Sequence, residues 1–87
     1  DAGLKASSVD SGMPQVWNLP GVEFMKASDE HGVLGISPGA EAPALGAKLL
    51  LVPGHCDPTV NLYDWFVCVR RGEVEALWPV SARGALR

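Results

Sequence analysis

The stretch DWFVCVRRGEVEALWPV, residues 64–80, decides the fold. Trp65, Val67 and Val69 alternate with Phe66, Cys68 and Arg70, the two-residue period of a β-strand. Arg71-Gly72 supplies a turn, and Val74, Ala76 and Trp78 resume the alternation. Two alternating runs joined by a two-residue turn predict an antiparallel hairpin.

The same logic applied upstream predicts another hairpin over residues 22–37. In GVEFMKAS, 21–28, Val22, Phe24 and Lys26 point one way, and Glu23 and Met25 the other. SDEHG, 28–32, is a polar turn closed by glycine, and VLGIS, 33–37, is the returning strand. PGAEAPALGA, 38–47, has the composition of a surface loop. KLLLVP, 48–53, is an apolar run too short for a helix and predicts a buried strand. There is no internal repeat and no extended amphipathic helix. Several short strands with glycine and proline turns predict a mainly all-β fold, a small β-barrel or sandwich. Closing the sheet would remove its exposed edges.

At 87 residues the chain holds one domain at most. A hydrophobic fraction of 47% suits a packed core. The net charge is −3, and the seven Lys and Arg never cluster beyond Arg70-Arg71, so nucleic acid is not an expected partner. No apolar run approaches the roughly 18 to 20 residues of a membrane span, so no membrane partner is expected either. Two cysteines are too few for a disulfide scaffold, and Cys56 and Cys68 are expected as reduced thiols of a cytoplasmic protein. DAGLKASSVDSG opens without methionine and reads as the continuation of something already under way.

VPGHCDPTVNLYDW, 52–65, carries the chemistry. His55, Cys56 and Asp57 are consecutive, fenced by Pro53-Gly54 and Pro58. On an extended chain residues 55 and 57 share a face and Cys56 points away. An imidazole nitrogen with a carboxylate oxygen suits a divalent ion of intermediate hardness. Two protein ligands cannot close a structural zinc site, so such an ion would keep an open shell, as catalytic sites do. From spacing alone an ordinary Asp-Pro turn is the better reading, because a lone His-x-Asp is a weak signal. Proline stiffening helps either reading. In SDEHG, Glu30 reads as a solvated turn residue, whereas Asp29 at a hairpin tip is placed to reach a neighbouring chain. Tyr63 reads as a core residue with a satisfied hydroxyl, and Trp17, Trp65 and Trp78 as core or interface. GVLGISPG lacks the pattern of a phosphate loop.

ASDEHGVL and VPGHCDPTVNLYDWFVCVRRGEVEALWPVSARG together resemble the C-terminal, D-serine dehydratase-like domain of D-threonine aldolases, enzymes of the alanine racemase fold (fold type III). DAGLKASSVDSGMP, 1–14, resembles the family's exit from its catalytic barrel, leaving 15–87 as the β-domain. The resemblance implies a parent whose N-terminal (β/α)₈ barrel carries pyridoxal phosphate (PLP) on a lysine. It implies a homodimer, and cleavage of D-3-hydroxy-amino acids to glycine and an aldehyde. A divalent metal, manganese before zinc or magnesium, would hold the substrate's 3-hydroxyl. His55 and Asp57 match the family's metal ligands, and Asp29 matches an acid near its active site. In related dehydratases the residue two after the histidine is a zinc-binding cysteine, and Asp57 stands there in this chain. Lys5, Lys26 and Lys48 lie outside the PLP-lysine motif, so the 87 residues alone are expected to be inactive. A D-serine or D-3-hydroxyaspartate dehydratase and a non-catalytic dimerisation module are the competing expectations.

Overall fold

The computed structural model describes residues 1–83, so residues 84–87 of the expected 15–87 domain lie outside the described residues. Strands dominate. In order they are β1 (Gln15–Val16), β2 (Val22–Ala27), β3 (Gly32–Ile36), β4 (Leu51–Val52), β5 (Trp65–Arg70) and β6 (Glu73–Pro79). One short helix, α1 (Cys56–Val60), lies between β4 and β5. The all-β class is therefore met. The strands form three antiparallel two-stranded sheets, β1-β4, β2-β3 and β5-β6. No helix among the described residues is long and apolar enough to cross a membrane.

Both predicted hairpins are present, and each carries an irregularity that re-aims side chains. In β2-β3, Phe24 pairs with Leu34 but Lys26 pairs with Val33, which leaves Met25 as an extra residue. A bulge of this kind exchanges the two faces beyond it. Lys26, expected beside Val22 and Phe24, is accordingly turned out to solvent with Val33. In β5-β6, Cys68 pairs with Ala76 and Val69 with Val74, so Glu75 is the extra residue. Val74 therefore joins Trp65, Val67, Val69 and Leu77 on one face, while Ala76 and Trp78 join Phe66 and Cys68 on the other. The unbroken alternation of Val74, Ala76 and Trp78 is corrected by that one bulge. The connecting turn holds Arg71 at φ 51° and Gly72 at φ 80°, the left-handed pair that a two-residue hairpin loop needs.

The hydrophobic core is small: Val22 is 8% exposed and Phe24 4%. Gly32 lies against the Phe24 ring, and a Cβ there would collide with it. The molecule measures 44 × 33 × 17 Å, too thin for much interior. The 48–53 run is less buried and less regular than expected. Only Leu51–Val52 forms a strand, because its partner β1 is two residues long, and Leu50 is exposed. Trp17, Trp65 and Trp78 are all exposed, not core. The face of β5-β6 bearing Trp65, Val67, Val69, Val74 and Leu77 is apolar and open, each of these residues being more than half exposed.

Candidate metal centre

His55 and Asp57 stand at the start of α1 and not on the extended chain that was predicted. His55 is the N-cap of α1, with extended backbone at φ −144° and ψ 124°. Asp57 is already inside the first helical turn. Residues 55–57 are thus not a strand, and the shared-face argument for an extended chain does not apply. The helix is locally reasonable. Pro58 in its first turn costs no helical hydrogen bond, and Asp57 suits the positive end of the helix dipole. The Asn61 N–H donates to the Asp57 carbonyl oxygen at 3.1 Å and closes the turn.

His55 makes no capping bond with its own helix. Its Nδ1 instead lies 3.3 Å from the Ser11 hydroxyl oxygen, 44 residues away in the chain. Nε2 is the ring nitrogen left open. The Asp57 side chain is exposed and, among the described residues, makes no hydrogen bond or ion pair. Asp57 also lines a hollow of about 420 Å³ with Val60, Asn61, Phe66, Val80 and Arg83. Arg83 Nη1 is held 2.6 Å from Asp64 Oδ1 on its rim.

Residues 54–63 are laced to the first fourteen residues in antiparallel order. The Tyr63 hydroxyl donates to the Ala6 carbonyl oxygen. The Ser8 N–H donates to Thr59 Oγ1 at 3.0 Å. Ser11 meets His55, and Gly54 packs so closely on Gly12 that a Cβ at residue 54 would strike the Gly12 carbonyl oxygen. Thus 6, 8, 11 and 12 face 63, 59, 55 and 54. Tyr63 has its satisfied hydroxyl, but it is exposed rather than in the core. Sequence reading placed Ser11 only within the 1–14 exit segment and gave it no role at the site. No local signal pairs positions 44 apart.

Asp29 sits in the exposed turn between β2 and β3, where its carbonyl oxygen accepts from the Lys5 N–H at 3.0 Å. It lines a separate shallow hollow with Leu4, Lys5, Ser28, Glu30 and His31, to which neither His55 nor Asp57 contributes. Lys5 and Glu30 form an exposed ion pair at 2.8 Å across that turn. Cys56 and Cys68 are both free, as expected.

An imidazole nitrogen and a carboxylate oxygen are donor types that a divalent cation of intermediate hardness takes, and both His55 and Asp57 are exposed. Among the described residues no group of three or more His, Cys, Asp or Glu side chains could hold a metal, which leaves the fit to the pair alone.

Residues 1–69 match the family model described as "Putative serine dehydratase domain". The chain belongs to this family. It is 58% identical over 84 residues to the 3-hydroxy-D-aspartate aldolase of Paracoccus denitrificans, covering 97% of this chain and 21% of that protein. It is 52% identical over 87 residues to a D-threonine aldolase of Arthrobacter sp, covering all of this chain and 23% of the relative. The solved structure of D-threonine aldolase from Filomicrobium marinum superimposes with a TM-score of 0.88 at 46% identity, over all of this chain and 24% of that one. The serine dehydratase-domain chain thus spans between a fifth and a quarter of the length of these relatives.

Proposed function

We infer that this chain is the metal-binding C-terminal domain of a PLP- and divalent-metal-dependent aldolase, which cleaves D-3-hydroxy-amino acids to glycine and an aldehyde. The observation that carries the reading is the accessible pair at the start of α1: His55 with one ring nitrogen open, and Asp57 with an unpaired carboxylate. The names of relatives 58% and 52% identical to the chain support the reaction class.

When bound, the cation supplies Lewis acidity at the substrate's 3-hydroxyl, and PLP held elsewhere in the parent supplies the electron sink. His55 contributes a neutral nitrogen ligand. Asp57 contributes a hard oxygen and a negative charge that offsets part of the cation's. Pro53 and Pro58 lower the entropy lost when the loop is fixed. Residues 1–14 are read as the exit from the barrel, and residues 15–87 as the domain that closes over it. Asp29, at an exposed hairpin tip, is assigned to the reacting centre completed by the rest of the parent. The parent is read as a homodimer, which the open apolar face of β5-β6 supports. Manganese is the preferred ion, and the cytoplasm the site of action.

The test uses the full-length protein. His55→Ala and Asp57→Ala are each expected to abolish Mn²⁺ binding and glycine formation from D-threonine. Metal-stimulated cleavage that survives in both variants defeats the reading. Asp29→Asn is expected to lower kcat while leaving Mn²⁺ affinity unchanged. A second reading, a D-3-hydroxy-amino-acid dehydratase, is favoured by the description of the matching family. Its products are a keto acid and ammonia, so a product assay separates the two.

A further inference from the structure

Resting on that metal reading, we propose that Ser11 is a positioning residue for the cation. Its hydroxyl oxygen accepts a hydrogen bond from His55 Nδ1–H, and this leaves the lone pair of Nε2 free for the ion. The two atoms are 3.3 Å apart. In the opposite tautomer Nε2 would carry a proton where the cation needs electrons. A metal-binding imidazole commonly has its second nitrogen fixed in this way by an oxygen acceptor.

The position of Ser11 is itself constrained. Gly12, at φ 130°, follows it in a conformation that side chains rarely adopt. Gly54 abuts the Gly12 carbonyl so tightly that no side chain fits between. The Gly12 N–H donates to the Val9 carbonyl oxygen at 3.2 Å and closes the turn that presents the hydroxyl. Three residues before Ser11, the Ser8 backbone is fixed to Thr59 on α1. The serine is therefore held against the ligand loop on both sides. His55, lacking a capping bond of its own, has Ser11 as its hydrogen-bonding partner.

The experiment measures Mn²⁺ affinity in the full-length protein by electron paramagnetic resonance of the free ion. Ser11→Ala is expected to weaken Mn²⁺ binding about 10- to 100-fold. Ser11→Thr keeps the hydroxyl and is expected to stay within about threefold of wild type. If His55→Ala abolishes binding while Ser11→Ala leaves it unchanged, the role of Ser11 is overturned and the metal reading stands. If His55→Ala also binds Mn²⁺ normally, the metal reading falls, and the role of Ser11 with it. Should Ser11→Ala not fold, the tautomer of His55 in the metal-free wild type decides. Long-range ¹H–¹⁵N spectra are expected to show the proton on Nδ1, and a proton on Nε2 overturns the proposal.

Discussion

Thr59 Oγ1 accepts a hydrogen bond from the backbone N–H of Ser8 at 3.0 Å, joining α1 to a segment 51 residues earlier. This is the one lacing bond that is partly buried, so water replaces it poorly. Thr59→Val keeps the shape and removes the acceptor. It should destabilise the domain by about 1–2 kcal/mol, the cost of stranding a donor, whereas Thr59→Ser should cost much less. Urea denaturation of the full-length protein reads the difference, and a Thr59→Val midpoint equal to wild type would contradict the account.

Gly54 is expected to tolerate no side chain. In Gly54→Ala the new methyl meets backbone, the Gly12 carbonyl, rather than a flexible side-chain tip. The two segments must separate, at about 1–3 kcal/mol by analogy with other overpacked contacts. His55 then moves away from Ser11, so Mn²⁺ affinity should fall together with the melting temperature. Unaltered affinity in Gly54→Ala would show that the ligand loop is set by something else.

The β5-β6 turn offers a stabilising change. Arg71 sits at φ 51°, in a region where asparagine and glycine are more at ease. Arg71→Asn should raise stability by about 0.5–1 kcal/mol, while Gly72→Ala, at φ 80°, should lower it by about 1–2 kcal/mol. Thermal melts of the two variants should move in opposite directions.

Phe24 is the largest side chain of a very small core. Its truncation in Phe24→Ala leaves Gly32 facing a void, and phenylalanine-to-alanine changes in cores cost about 3–5 kcal/mol. Little else is buried to compensate. The variant is expected to lose the β2-β3 hairpin from circular dichroism below the wild-type transition. Met25→Ala, removing an exposed residue at the bulge, should change the transition little.

Hairpins were legible in the sequence because their signals are local. Alternation and an Arg-Gly or polar turn lie within a dozen residues of each other. The bulges at Met25 and Glu75 were not legible. A single extra residue shifts the pairing without altering composition, and the alternation of Val74, Ala76 and Trp78 looks continuous until the partner strand is known. Leu50 was read as interior and the three tryptophans as core or interface from their hydrophobicity alone, yet a slab 17 Å thick has no interior for them. At the candidate site, His55 and Asp57 stood out as potential donors, but the helix that begins at Cys56 and contains Asp57 was not legible. His-Cys-Asp-Pro is as compatible with an extended chain as with a helix start. Ser11 lay beyond reach for a different reason: its partner is distant along the chain, and only the folded backbone brings it near.

The nesting of the pairings has a consequence for how the protein is born. Gln15 and Val16 wait for Val52 and Leu51, and Ala6, Ser8, Ser11 and Gly12 wait for residues still further along. Closing wide loops is slow compared with zipping a hairpin. On the ribosome, β2-β3 can therefore mature, with Leu4 and Lys5 on its turn, before the partners of Ala6, Ser8, Ser11 and Gly12 exist. Only once residues 54–63 have been made can Gly12, Ser11, Ser8 and Ala6 find them, so this lacing follows the hairpin in time, and a chain stalled in between holds a finished hairpin beside an unpaired serine turn.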